Sequence, residues 1–82
     1  MDVTLDATLD VVRRFVERKR GKSASAIQGD TALLRDGHLD SFSLVELIAE
    51  LEQQLEISLP DGSLIPEDFE TPQVLYDRLR EI

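Results

Sequence analysis

Residues 40–56 read DSFSLVELIAELEQQLE, and large apolar side chains recur in them every three or four positions. This spacing brings the apolar side chains to one side of an α-helix, so it predicts an amphipathic helix over the stretch. The expected buried stripe consists of Leu44, Leu47, Ile48, Leu51 and Leu55. The stretch therefore predicts a helix that packs against other segments of the chain.

Helical patterns also precede and follow this stretch. Residues 4–19 repeat apolar side chains with helical spacing, and Thr4 can cap their first turn. Thr71 and Pro72 are typical of the start of a helix, so a last helix is predicted to begin there. The residues expected to face inward from it are Leu75, Leu79 and Ile82.

The connecting segments are less regular. Residues 21–40 have no sustained period and predict a long loop. Its expected anchors are Ile27, Leu33 and Leu34. Residues 60–62 predict a turn, and residues 66–69 predict a short helical turn whose Phe69 enters the core. The sequence therefore predicts an all-α fold, a small bundle of three main helices plus one short helix.

Size and composition limit what the chain can do. Its 82 residues suffice for a single domain over residues 1–82 and leave little room for an enclosed active site. The absence of cysteine excludes disulfides, thiolate metal sites and a cysteine nucleophile. No apolar run approaches the length of a membrane span, and the acidic first residues lack the basic start of a signal peptide. A cytoplasmic protein without membrane insertion is expected.

The formal charge of −8 is unevenly distributed. Residues 1–22 hold six Lys or Arg against four Asp or Glu, whereas residues 23–82 hold three against thirteen. The acidic part should repel nucleic acid and attract proteins with basic surfaces. The cations of residues 13–20 lie near the end of the first predicted helix, where they complement the helix dipole; contact with an anion or phosphate is the alternative.

Asp40 and Ser41 lie where the long loop meets the central predicted helix. Either side chain can cap free N–H groups at the helix start. Ser43 with Glu46 also fits a capping box, which would start the helix two residues later. In each case Ser41 lies at or just before the helix start, with its hydroxyl near solvent. A purely structural capping role for both residues stays open at this point.

A second apolar strip follows Ser41 on the same helix. At 100° per residue, Phe42 and Ala49 lie nearly opposite the buried stripe, and Val45 lies about a quarter-turn from it. The polar residues around this strip are Glu46, Glu52, Gln53 and Glu56. An apolar patch with an acidic rim is typical of a surface that docks reversibly on a basic partner.

Residues 34–47, LRDGHLDSFSLVEL, resemble the phosphopantetheine attachment region of acyl and peptidyl carrier proteins. The closest resemblance is to the stand-alone D-alanyl carrier protein type, which has Leu-Asp-Ser-Phe here and a glycine at the position of Gly37. The resemblance covers residues 34–72 well and the first helix in outline. It implies that Ser41 carries 4'-phosphopantetheine. It also implies that Asp40 helps a phosphopantetheinyl transferase and its magnesium ion orient the serine hydroxyl.

The resemblance further implies a monomeric carrier, not an enzyme. Its expected partners are the phosphopantetheinyl transferase, an adenylate-forming ligase that loads cargo, and an acyl or aminoacyl transferase or condensing enzyme that receives it. The expected partner-binding residues are Phe42, Val45, Glu46, Ala49, Glu52 and Gln53. D-alanine, another amino acid and a short acyl group all stay open as cargo. The alternative function is an unmodified helical protein-protein interaction module.

Catalytic and metal sites are disfavoured by spacing. His38 lies three residues before Ser41 in a predicted loop, which does not establish a nucleophile–base pair. The loop and turn aspartates do not match a calcium loop or another compact metal signature. No metal site is expected.

Overall fold

The computed structural model describes residues 3–21, 23–60 and 62–82, and all of its regular elements are helical. Helix α1 spans Leu5–Arg20, α2 spans Ser41–Leu55 and α3 spans Pro72–Glu81. A short 3₁₀ helix at Pro66–Phe69 lies between α2 and α3. The predicted all-α bundle of three main helices and one short helix is confirmed. None of the described helices combines the length and apolar composition needed to cross a membrane.

The helix ends follow the predicted capping chemistry. The Thr4 hydroxyl accepts a hydrogen bond from the Ala7 N–H at 3.0 Å, and Thr71 accepts one from Val74 at 3.1 Å. Each bond satisfies an N–H group that has no partner within its helix. Gly21 ends α1 in the left-handed conformation, with φ 69°. Local sequence therefore sets where these helices begin and end.

Helix α1 packs against both α2 and α3, the 3₁₀ helix contacts α2 and α3 as well, and the core lies between these elements. Leu47 and Leu51 of α2 are fully buried, together with Leu75 of α3, and Phe69 of the 3₁₀ helix is only 1% exposed. The predicted stripe of α2 is correct except for Ile48, which is half-buried at the edge of the core. The aromatic ring of Phe69, at the end of the short helix, therefore lies in the centre of the bundle.

Ile82 is a wrong prediction, because it is 45% exposed. Helix α3 ends at Glu81, and Ile82 forms the C-cap beyond it. The spacing that buries Leu75 and Leu79 does not extend past the last helical residue.

The turn predicted at residues 60–62 includes Asp61, which lies outside the described residues. The residues on either side of Asp61 are joined by a hydrogen bond from the Ser63 N–H to the Pro60 carbonyl at 3.0 Å.

The long connection between α1 and α2 is an ordered part of the core. Ile27 and Leu33 are buried as predicted, whereas Leu34 is half-buried. Two further buried anchors, Ala24 and Leu39, did not emerge from the sequence pattern. Their burial is imposed by the surrounding helices, since the connection itself has no period.

Hydrogen bonds hold this connection to α1 and to the residue that follows the 3₁₀ helix. The Arg13 guanidinium donates to the Ile27 carbonyl from Nε at 2.8 Å and from Nη2 at 2.6 Å. The Leu33 N–H donates to the Glu70 carbonyl at 2.9 Å, directly after the 3₁₀ helix. The connection therefore reaches α2 from a position set by α1 and by the 3₁₀ helix.

Candidate functional site at the start of helix α2

The approach to α2 begins with a single helical turn over residues 32–36 that ends at Gly37. The His38 N–H donates to the Leu33 carbonyl at 2.9 Å, and the Gly37 N–H donates to Leu34 at 3.2 Å. This pair of bonds is a Schellman motif, which requires a left-handed residue after the turn. Gly37 has φ 79°, and a Cβ there would meet no atom within 4 Å. Glycine is therefore favoured here by backbone conformation and not by lack of space.

Leu39 then enters the core and leaves Asp40 at the surface. Leu39 is 5% exposed, and its N–H donates to the Leu33 carbonyl at 3.1 Å. Asp40 is the extended N-cap of α2, and its Oδ1 accepts hydrogen bonds from the Ser43 N–H at 2.8 Å and the Ser43 hydroxyl at 2.9 Å. The helix therefore starts at Ser41, and the later start suggested by the Ser43 capping box is not adopted.

Ser41 is the first residue of α2, and its side chain is exposed. Because Asp40 caps the helix, the Ser41 hydroxyl is not used for capping, and within the described ranges no hydrogen bond to it is found. The positive end of the helix dipole lies beside it, which favours a negative group at this position. A phosphodiester on the Ser41 oxygen therefore fits the site without disturbing the cap.

The pKa of the Asp40 carboxyl is held below its ordinary value of 3.8, mainly by the hydrogen bond from the Ser43 N–H and next by the Ser43 hydroxyl. Desolvation opposes these two bonds, and the Phe42 N–H and the positive charge of Arg20 lower the pKa by smaller amounts. Asp40 is thus ionised at neutral pH and next to the serine that could carry a phosphate. The cap has a fixed negative charge.

Asp40→Ala is expected to lower the Tm at neutral pH, because the lowered pKa means that the ionised carboxylate is stabilised by the fold. That contribution is fully present above the unfolded-state pKa and is lost as pH falls through the lower folded-state value. The Tm difference from the parent chain should therefore shrink below about pH 3.8. Asp40→Asn, which retains a capping oxygen without a charge, is the control for circular-dichroism melting across pH. A difference from the parent that stays constant down to pH 2 would contradict this role.

The outer face of α2 carries the predicted apolar strip. Phe42 is 85% exposed and Val45 is 71% exposed, and Ala49 and Gln53 are exposed beside them. An exposed phenylalanine next to a free serine hydroxyl is unusual for a surface with no partner. The helix therefore presents an apolar face that begins directly after Ser41.

The acidic rim of this face is partly neutralised by α1. Lys19 forms an ion pair with Glu46 of the rim, and Arg18 forms one at 2.8 Å with Glu50, an α2 residue outside the predicted rim. Sequence spacing could not reveal these pairs, because each joins residues of different helices. The end of α1 thus supplies positive charge to the face on which the sequence shows only acids.

Glu52 also has a structural role. It is half-buried, and its Oε2 accepts a hydrogen bond from the Leu59 N–H at 3.0 Å. This bond joins α2 to the connection that follows it. One oxygen of Glu52 is therefore committed within the chain, whereas Gln53 is exposed.

Comparison with known proteins assigns this arrangement to a family. The sequence profile described as "Phosphopantetheine attachment site" matches residues 10–79. A D-alanyl carrier protein of Bacillus mycoides is 34% identical over 53 residues, which cover 65% of this chain and 67% of that protein. An acyl carrier protein of Campylobacter jejuni is 36% identical over 56 residues, which cover 68% of this chain and 73% of that protein.

The matched residues include the connection, the start of α2 and most of the bundle, so the similarity extends well beyond a short motif around Ser41. It confirms the resemblance to acyl and D-alanyl carrier proteins seen in residues 34–47. The exposed hydroxyl at the start of α2 is compatible with the prosthetic group of such proteins. The chain therefore belongs to the phosphopantetheine attachment site family and is a carrier protein whose prosthetic group is 4'-phosphopantetheine.

Proposed function

We propose that Ser41 is the attachment residue and that the chain carries an acyl or aminoacyl cargo between enzymes without itself catalysing a reaction. The observation that carries the proposal is the division of roles at the start of α2. Asp40 caps the helix, whereas the neighbouring Ser41 hydroxyl is exposed and is not needed for the fold. The attached arm supplies a terminal thiol that holds cargo as a thioester, which a chain without cysteine cannot supply from its own side chains.

Attachment requires a phosphopantetheinyl transferase and coenzyme A. The Ser41 oxygen forms a bond to the phosphorus that bears the pantetheine arm, the pyrophosphate bond of coenzyme A breaks, and adenosine bisphosphate leaves. The serine proton passes to a base of the transferase or to water. Asp40 remains ionised beside this hydroxyl, which supports its proposed role in orienting the serine or the magnesium ion of the transferase.

The outer face of α2 is the proposed contact surface for these partners. Phe42 and Val45 provide the exposed apolar area at its start. The other members of the surface are Glu46, Ala49, Glu52 and Gln53. A loading ligase and an acceptor transferase or condensing enzyme would each dock near the arm and release the carrier again, which suits a small surface with few charges left unpaired.

Ser41→Ala is expected to abolish arm addition by a promiscuous phosphopantetheinyl transferase in the presence of coenzyme A. Intact mass spectrometry of the parent chain should show the added arm, and a fragment map should place it at Ser41. Ser43→Ala is the matched control, because Ser43 lies two residues further along α2 and its hydroxyl is bound to Asp40. Arm addition that survives Ser41→Ala would contradict the proposed attachment residue.

An unmodified interaction module is not supported, because the family of this chain is defined by a phosphopantetheine attachment site. The 85% exposure of Phe42 is instead assigned to partner binding by the carrier. A parent chain that gains no mass under the conditions above would contradict the proposed function.

A further inference from the structure

Arg20 differs from the other cations in the second half of α1. Those that have partners in the chain are Arg13, Arg14, Arg18 and Lys19, which contact the Ile27 carbonyl, Asp10, Glu50 and Glu46 respectively. Within the described ranges, Arg20 makes no ion pair and no side-chain hydrogen bond, and its side chain is exposed. Its charge is therefore available to a group that the unmodified chain does not contain.

The ion pairs between α1 and α2 show where Arg20 lies. Arg18 pairs with Glu50, and Lys19 pairs with Glu46, which is four residues nearer to Ser41. Successive residues at the end of α1 thus approach the start of α2. Glu46 is five residues after Ser41, which corresponds to roughly 7–8 Å along the helix axis. Arg20 follows Lys19 at this end of the bundle.

Arg20 also lines a shallow cleft of about 180 Å³ beside the site. Residues 36–38 also line the cleft, and Leu39 connects them to Asp40 and Ser41. The positive charge of Arg20 contributes to the lowered pKa of the Asp40 carboxyl, in agreement with this placement. The guanidinium therefore lies within electrostatic reach of Asp40, the residue before Ser41.

A phosphodiester on Ser41 would be further stabilised by positive charge from outside α2. The phosphodiester would place a second negative charge on the residue next to the ionised Asp40, and like charges on neighbouring residues repel. The N–H groups of Ser43 and Leu44 are already bound by the side chain and the carbonyl of Asp40. The helix start thus has few donors left, and its dipole is shared with the Asp40 carboxylate.

We propose that Arg20 binds the phosphodiester of the arm on Ser41, so that the end of α1 forms part of the prosthetic-group site. This inference rests on the proposed attachment at Ser41. Arg20 offers the planar, bidentate donors that match a phosphate group. The contact would fix the first segment of the arm at the cleft between α1 and the loop before α2.

Arg20→Gln tests the contact in protein that bears the arm. The ³¹P NMR signal of the phosphodiester should shift relative to the parent chain, because a bound cation is removed. The Tm of the arm-bearing form should fall roughly 2–4 °C more than that of the unmodified form. Arg14→Gln is the matched control, since it makes the same charge change on the same helix but removes a pair with Asp10. Arg20→Lys, which retains the charge without the bidentate geometry, should give intermediate values.

Equal ³¹P signals and equal Tm changes in Arg20→Gln and Arg14→Gln would overturn the contact while leaving attachment at Ser41 intact. Intact mass reports attachment separately, so a parent chain that gains no arm would overturn the proposed function and this inference together. Circular dichroism of each unmodified variant establishes that the bundle is folded before the comparison is made.

Discussion

Phe69→Ala is expected to lower the free energy of unfolding by about 3–5 kcal/mol. Phe69 is 1% exposed and fills the core from the short 3₁₀ helix, whose four residues cannot rearrange to fill the cavity that alanine leaves. The loss is a large share of the stability of a small domain. Urea unfolding followed by circular dichroism measures it.

Phe42→Ala is the matched control, because the same side chain is removed at a site that is 85% exposed. It should change the free energy of unfolding by no more than about 0.5 kcal/mol. If the Phe42 strip docks on partners, the variant should instead raise the KM for the carrier in the phosphopantetheinyl transferase reaction. Similar losses of unfolding free energy in Phe69→Ala and Phe42→Ala would contradict the placement of Phe69 in the core and of Phe42 at the surface.

Leu33→Ala is expected to cost about 2–5 kcal/mol of unfolding free energy, although Leu33 lies in the long connection between helices. Leu33 is fully buried, its N–H bonds the Glu70 carbonyl, and its own carbonyl accepts from His38 and Leu39. The substitution therefore loosens the segment that positions Asp40. Amide hydrogen exchange at residues 33–40 should become faster in the same variant.

Leu34→Ala is the control for this prediction, since Leu34 is the neighbouring residue and is only half-buried. Leu34→Ala should lower the free energy of unfolding by less than Leu33→Ala does. A connection that behaves as an ordinary surface loop would tolerate both substitutions equally, and that result would contradict its place in the core.

The helices of this protein could be predicted because their signals are local. The apolar spacing in residues 40–56 predicts α2, and Thr4 and Thr71 mark helix starts through hydrogen bonds that span three residues. The prediction failed at Ile82, because the helical period does not determine burial beyond the last helical residue.

The connection before α2 could not be predicted in the same way. Burial of Ala24 and Leu39 depends on contacts with helices that are distant in sequence, and no period within residues 21–40 records them. The ion pairs Arg18–Glu50 and Lys19–Glu46 have the same origin, since each joins residues about thirty positions apart. Composition indicated basic and acidic segments, but not which charges neutralise one another.

The sequence by itself determined the helical class, the start of α2 to within two residues and, through the resemblance of residues 34–47, the carrier family that comparison with known proteins confirms. The structure then showed, through a hydrogen bond that is itself local, that Asp40 and not Ser41 provides the cap, which leaves the Ser41 hydroxyl exposed. Only the tertiary structure placed the end of α1, with Arg20, against residues 36–38 of the loop that leads to that serine. Neighbouring residues determine local hydrogen bonds and the spacing of apolar side chains, whereas the position of one helix end relative to another depends on how the whole core packs.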